Sequence, residues 1–401
     1  MKNNRYKWFV LVLLSAVNMT TAAVYVWSIF NLPLVAATGW TLPEVSLAYS
    51  IQTLVVWIGS FISGKFQTRR TTRAFMWAGA LTWSFGWILA GFTRNRLLFY
   101  FFFGVVGGLG NGILYNVVIA SIGQWFADRK GMALGIVTGV GGLAQMIVSP
   151  VGNRLIETRS VFTAFTDIGA GFAVMTLVAA VFYRWPDAGE EAPGAISASD
   201  SAPMDLTKFF LLWFIFFACA CSGLIMSGHA SNMGQSLVGL TSAQGAMLVM
   251  LLSVVSFLGR MIMGFLSDRI RTLRLVGVTL WALLASQINL IFCRGIGQFL
   301  LSFCLICFSF GAAMCLFPKI VAEQFGNGRV GRNWSIFFSG YTLSAMIGPI
   351  LTSIFVHRMG AYRYAFYFAA ALLSLALVSY GLLLKREHAA AKVLPVESRG
   401  L

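Results

Sequence analysis

The chain has 401 residues, of which 58% are hydrophobic and 10% charged, and its mean hydropathy is +0.79. Soluble domains carry about 25% charged residues, so there is too little polar sequence here to cover the two or three soluble domains this length would otherwise make; a secreted enzyme, a cytosolic enzyme and a disordered chain are excluded. The net charge of +16 and pI near 10.0 come from short Lys/Arg runs between apolar stretches, not from one basic patch interleaved with aromatics, which argues against nucleic acid and for a lipid bilayer as partner.

Crossing the hydrocarbon layer takes about 20 predominantly apolar residues. Twelve segments qualify, near 8–30, 42–64, 74–93, 97–123, 131–152, 163–183, 208–230, 242–266, 274–292, 297–321, 332–356 and 364–384. The first follows Lys2, Arg5 and Lys7 and is too long for the apolar part of a signal peptide. The runs are continuous and do not alternate, which predicts helices and no barrel. The expected fold class is an all-α polytopic membrane protein with twelve transmembrane helices.

The stretch 185–207 is the long hydrophilic connection in mid-chain. It holds Pro186, Pro193 and Pro203 with Asp187, Glu190, Glu191, Asp200 and Asp205, and reads as a flexible linker. The expected organisation is a six-helix half (1–184), the linker (185–207), a second six-helix half (208–388) and a tail (389–401). An even number of spans puts both termini on one side, which carries twenty of the 29 Lys and Arg against seven on the other. That excess predicts a cytoplasmic location for the termini. Arg260 and Lys319 belong to neither side.

The halves echo each other. Gly64, Lys65, Phe66, Gln67, Thr68, Arg69 and Arg70 follow the second span; Gly264, Phe265, Leu266, Ser267, Asp268, Arg269, Ile270 and Arg271 follow the eighth. At an offset of 200 residues the glycines coincide, as do Arg69 and Arg269, while Asp268 falls on Thr68. Repetition of this kind is expected of a transporter built from two parallel halves. Small residues also recur every four positions: Gly104, Gly108, Gly112; Gly131, Gly135, Gly139; and Gly340, Ser344, Gly348. Each stripe lets another backbone approach closely in lipid, and such contacts can slide between two states. Gly108 to Gly112 lacks the spacing and the preceding strand of a dinucleotide site. Cys304 and Cys307 form a CxxC with no second pair and no nearby His, so the six cysteines read as small buried hydrophobes; no metal or other cofactor is expected.

Arg260 is the sharpest signal. It lies eight residues before Asp268, about 12 Å into a half-layer of about 15 Å, where an arginine costs at least roughly 2.5–3.5 kcal/mol. No Asp or Glu lies deep in any span; Glu44, Glu157, Asp167 and Glu323 are near span ends. A buried cation without a protein counter-ion implies that an anionic substrate supplies the charge, and a planar guanidinium matches a carboxylate. The bland alternative is a structural arginine bonded to helix carbonyls. Lys319, after Pro318, is expected to snorkel to the interface. Tyr25, Asn111, Tyr115, Gln145 and Tyr341 are mid-span polar or aromatic residues and the candidate cavity lining; Trp27 is expected to pack, and His229 to contact surface or loop. Nothing assembles a catalytic triad, so no enzyme is expected.

The Gly-x-x-x-(Asp)-Arg loops after the second and eighth spans, with twelve spans, resemble the major facilitator superfamily. Thr68 departs from the acid usual in the first loop. Tyr25 to Phe30, Gly104 to Tyr115, Gln124-Trp125-Phe126-Ala127-Asp128-Arg129-Lys130-Gly131, Phe317-Pro318 to Gly326 and Asn333 to Pro349 resemble the oxalate/formate antiporter group and, in part, the related monocarboxylate porters. The resemblance implies two pseudo-symmetric six-helix bundles, a functional monomer in a bacterial inner membrane, alternating access, and an anion contact by Arg260. The oxalate carriers have a second cation in helix 11, where Tyr341 aligns here. One central cation implies a monocarboxylate of the formate, lactate or pyruvate type, moved by antiport or with a proton. The rivals are an oxalate-type dicarboxylate exchanger, a cationic-drug exporter and a non-transporting carboxylate sensor.

Overall fold

The structure, a computed structural model, describes residues 2–186, 205–326 and 330–393. Residues 187–204 of the expected linker and 394–401 of the expected tail lie outside the described residues. No strand occurs among those described. Among the described residues twelve helices are long and apolar enough to cross a membrane: α1 (Arg5–Trp27), α2 (Pro43–Phe66), α3 (Thr72–Phe92), α4 (Arg96–Trp125), α5 (Ala127–Thr158), α6 (Val161–Phe182), α7 (Leu206–Val238), α8 (Met247–Ser267), α9 (Thr272–Ile291), α10 (Ile296–Phe325), α11 (Val330–Met359) and α12 (Arg363–Glu387). With twelve crossings the start of α1 and the end of α12 lie on one side, called here the terminal face; the opposite one is the far face.

The internal repeat extends well beyond the two loops. Gly39 and Gly239 both take left-handed φ, 72° and 68°, and end the preceding helix where a side chain would be strained. Two residues later Thr41 and Thr241 open the next helix. The Thr41 amide donates to Glu44 Oε2 and the Thr241 amide to Gln244 Oε1, each at 2.9 Å, which is half of a capping box. Gly59 lies against the Leu109 carbonyl and Gly259 against that of Phe308. Gly112 faces the Val56 carbonyl, and Gly311 that of Ser256. A Cβ at any of these four would overlap backbone.

Helix pairing follows the same symmetry. In the first half α3 packs on α6, α2 on α4 and α1 on α5; in the second α9 packs on α12, α8 on α10 and α7 on α11. The halves meet where α5 lies along α8 and α2 along α11, with further contact of α5 with α10 and α4 with α11.

Three helices of the first half depart from regular α geometry. α1 tightens into a 3-10 stretch at Ala23–Ile29. α4 widens after its first α turn, Arg96–Phe99, into a π stretch at Tyr100–Gly107, a form often found at functional sites. α5 is interrupted at Leu143, between the segments Lys130–Gly142 and Ala144–Thr158. Continuous apolar runs hide such breaks, and the sequence predicts plain helices there. α7 also runs to Val238, beyond the expected end at 230. His229 contacts the α11–α12 connection, its ring centre 6.0 Å from that of Tyr362, and is half-buried with its Nε2 3.1 Å from the Pro349 carbonyl of α11.

Candidate functional site

A cavity of ≈ 70 Å³ lies at mid-membrane between the halves. Its walls come from α1, α2, α4 and α5 on one side and α8, α10 and α11 on the other. Arg260, Tyr25, Asn111, Tyr115 and Tyr341 all line it; Gln145 does not. Gln145 instead lines a neighbouring cavity of ≈ 30 Å³ with Ser253 and Ser256, and Arg260, Tyr25 and Gly142 border both spaces.

Arg260 is 7% exposed. Its Nε and Nη1 are buried with no hydrogen-bond partner, and no described salt bridge includes it. Nε and Nη1 lie on different edges of the planar guanidinium, each beside Nη2, so a carboxylate seated bidentately takes one of these two edges. An unmet buried donor, above all a charged one, is costly, so this group is built for a partner that comes and goes. Cys315 Sγ approaches the Arg260 carbonyl at 3.4 Å and holds its backbone, leaving the charge alone.

Gly142 makes room for that charge. It ends the first segment of α5, and a Cβ there would overlap Arg260 Nη1. The clash is with the tip of a flexible side chain, so Gly142→Ala should leave the melting temperature nearly unchanged while turning the guanidinium away. Misplacing a binding group by about 1 Å can cost up to a hundredfold; a loss of anion affinity of about tenfold is expected, readable as a raised half-saturation concentration for uptake. Wild-type affinity in Gly142→Ala would contradict this placement.

The tyrosines close the cavity between halves. The hydroxyls of Tyr25 on α1 and Tyr341 on α11 hydrogen-bond each other. Tyr115 packs on Phe338 with ring centres 4.9 Å apart, and Phe338 stacks on Tyr341 at 5.0 Å. Tyr49, which the sequence reading missed, also lines the cavity and stacks on Trp27. Trp27 itself is buried against Phe103, with ring centres 4.7 Å apart.

The amides serve the backbone. Asn111 Nδ2 donates to the Thr21 carbonyl at 2.8 Å, and Gln145 Nε2 to the Tyr25 carbonyl at 3.0 Å. Both acceptors lie on α1 beside or within its 3-10 stretch, so side chains from α4 and α5 satisfy carbonyls where the regular helix gives way. Gln145 Oε1 accepts from Ser253 Oγ at 2.8 Å, a bond between α5 and α8. Gln145 thus fixes Tyr25 and ties the halves together.

The terminal face is sealed by a charge network that corrects the expectation for Lys319. Lys319 does not snorkel: its side chain is 8% exposed, and its ammonium donates to Asp268 Oδ1 at 2.7 Å and to Ser267 Oγ at 3.1 Å. Asp268 also accepts from the Gly131 and Met132 amides, each at 2.7 Å. Those amides are in the first turn of the Lys130–Gly142 segment, where open N–H groups and the helix dipole favour an anion. A residue at the end of α8 thereby caps α5 in the other half. At the equivalent place in the first half Thr68 bonds locally to Thr71 and Thr72, so the charged cap has no copy there.

The glycine stripes divide by location. Gly104, Gly108 and Gly112 press α4 against Ile51, Gln52 and Val56 of α2, within one half. Gly131, Gly135 and Gly139 lie across the interface, against Gly264, Arg260 and Phe257 of α8. Gly64 meets the Gly331 carbonyl of α11, the counterpart of Gly264 meeting that of Gly131. Arg69 and Arg269 are exposed on the terminal face. Among the described residues, hydrogen bonds between the halves lie at mid-membrane and on the terminal face, and none lies nearer the far face than Gln145–Ser253.

A family model described as Major Facilitator Superfamily matches residues 9–316 and 215–400. The chain belongs to this superfamily. It is 26% identical over 353 residues to the MFS-type transporter YhjX of Escherichia coli (strain K12), covering 85% of this chain and 86% of that one. The oxalate:formate antiporter of Oxalobacter formigenes is 23% identical over 362 residues, covering 88% and 86%. Monocarboxylate transporter 12 of Rattus norvegicus is 26% identical over 346 residues, covering 77% and 70%. In fold the chain is similar to the fucose transporter FucP, solved in an outward conformation, with a TM-score of 0.72 over 93% of this chain and 98% of that one at 15% identity. The proton:xylose symporter XylE gives a TM-score of 0.74 over 94% and 95% at 13% identity. Superfamily membership makes the chain a multi-pass membrane transporter of small molecules built on two six-helix bundles.

Proposed function

We propose that this transporter moves small monocarboxylates by alternating access, exchanging one anion for another. The supporting observation is the Arg260 guanidinium, buried at the meeting of the halves with Nε and Nη1 unpartnered and no protein acid beside it. Arg260 is the one cation among the residues lining the cavity, and none of them is acidic. One cation balances one carboxylate; a dicarboxylate would carry a second charge with no partner there. Size agrees: ≈ 70 Å³ is about half of the ~150 Å³ that admits benzene, and suits an anion of a few heavy atoms. The relatives named for oxalate:formate antiport and for monocarboxylates favour a carboxylate substrate.

Alternating access then follows from charge. A carboxylate on Arg260 neutralises the buried cation and lowers the cost of closing both faces around it. An empty site keeps a bare guanidinium, which opposes occlusion and favours exchange over net leak. We take the terminal face to be cytoplasmic on its Lys/Arg excess, and the membrane to be a bacterial inner membrane.

The test is counterflow in proteoliposomes loaded with single unlabelled acids and offered a labelled one. Formate, acetate, lactate and pyruvate should drive labelled uptake, and oxalate should drive it more weakly. Exchange confined to dicarboxylates, or to neutral solutes, would overturn the reading.

A further inference from the structure

We propose that Asn18 makes the site selective for 2-hydroxycarboxylates, a reading that rests on Arg260 holding the carboxylate. Asn18 is on α1, is 3% exposed and lines the central cavity. Its Nδ2 donates to the Val137 carbonyl of α5 at 2.9 Å, which fixes the amide's orientation. Its Oδ1 is buried and accepts no hydrogen bond. Two residues that line the cavity therefore carry unmet buried groups, the Arg260 donors Nε and Nη1 and the Asn18 acceptor Oδ1.

Gly141 and Gly142 put these groups side by side. A Cβ on Gly141 would overlap Asn18 Nδ2, and a Cβ on Gly142 would overlap Arg260 Nη1. Neighbouring residues of α5 thus receive the amide and the guanidinium, and only glycine leaves space for both. A ligand that satisfies both residues has a carboxylate for Arg260 and, beside it, a donor for Asn18 Oδ1.

Chemistry narrows the donor. A simple carboxylate such as acetate has none. A 2-oxo acid turns a carbonyl oxygen toward Oδ1, acceptor against acceptor. A 2-ammonium group donates, but it brings a second cation beside Arg260, and no acid lines the cavity. A 2-hydroxyl donates without charge, as in glycolate and lactate. A site that hydrogen-bonds a hydroxyl discriminates against the analogue lacking it, because its own buried group is left unmet.

The experiment is calorimetric titration of the purified full-length protein with the matched pairs glycolate and acetate, lactate and propionate, and with pyruvate. Each hydroxy acid should bind about tenfold more tightly than its deoxy partner, and pyruvate should rank with propionate. In Asn18→Leu the ratio should fall to near one with acetate affinity kept. If that variant binds no acid at all, the wild-type ratios alone decide. Equal affinities within the wild-type pairs would overturn the role of Asn18 and leave the carboxylate reading standing; no binding of any of the five acids would overturn both.

Discussion

Arg260→Ala should lower carboxylate exchange at least about a hundredfold while the protein melts no lower than wild type. The open fork accounts for the first effect. Two charge-assisted hydrogen bonds at about 1.5–3 kcal/mol each correspond to about a hundredfold or more in affinity. The second effect follows from what Arg260 lacks. With Nε and Nη1 unpartnered, it contributes no ion pair to the fold, and placing an arginine at this depth costs at least roughly 2.5–3.5 kcal/mol. Removing it should stabilise the empty protein or leave it unchanged. Arg260→Lys keeps the charge and loses the planar fork, so about a tenfold loss is expected, intermediate between the two. Uptake kinetics and thermal melting of the same preparations check both halves of this prediction. A variant that lost stability along with transport would make Arg260 a structural residue. The internal repeat gives the same reading: at an offset of 200 the first half has Ser60 where the second has Arg260. The fold does not need the cation, since one half is built without it.

Asp268→Asn should release the terminal face. Asp268 joins two amides of α5 to the Lys319 ammonium, all at 2.7 Å. The asparagine leaves Lys319 buried with only Ser267 near and Glu323 at 3.8 Å, and it loses the charge that answers the α5 dipole. Removing one partner of a buried pair costs about 3–5 kcal/mol; Asp268 is 19% exposed at its side chain, so about 2–3 kcal/mol is a fairer figure here. The sealed state then loses its advantage by a factor of about thirty or more. A cysteine placed at Thr138, which lines the cavity, should react faster with an impermeant maleimide added from the terminal face. Lys319→Met in the same chain should recover melting temperature, since it removes the stranded ammonium, but not the seal. Unchanged labelling in Asp268→Asn would show that other contacts hold that face shut.

Lipid makes much of this architecture readable from the residues alone. A backbone crossing hydrocarbon must satisfy its own hydrogen bonds, so each span appears as an unbroken apolar run, and one arginine within such a run stands out. Ends are harder. The polar set His229, Ser231, Asn232 and Gln235 reads as the end of α7, yet the helix continues until Gly239 supplies the left-handed turn. Partners are harder still. Lys319 reads as an interfacial lysine until α10 lies on α8, 51 residues away in sequence, and brings Asp268 to it. Asn18 and Tyr49 are single polar or aromatic residues in apolar spans, and only the packed helices show that they face the cavity. The 3-10 stretch in α1 is equally hidden, because its stability comes from Asn111 and Gln145 on other helices.

The central claim is that the counter-charge of Arg260 arrives with the substrate. The most direct measurement is an experimental structure of the wild-type protein soaked with lactate. This account predicts a carboxylate in the central cavity with its two oxygens at about 2.7–2.9 Å from two adjacent nitrogens of Arg260, Nη2 and either Nε or Nη1. A guanidinium paired to a protein carboxylate, or an anion bound elsewhere with those nitrogens still open, would contradict it.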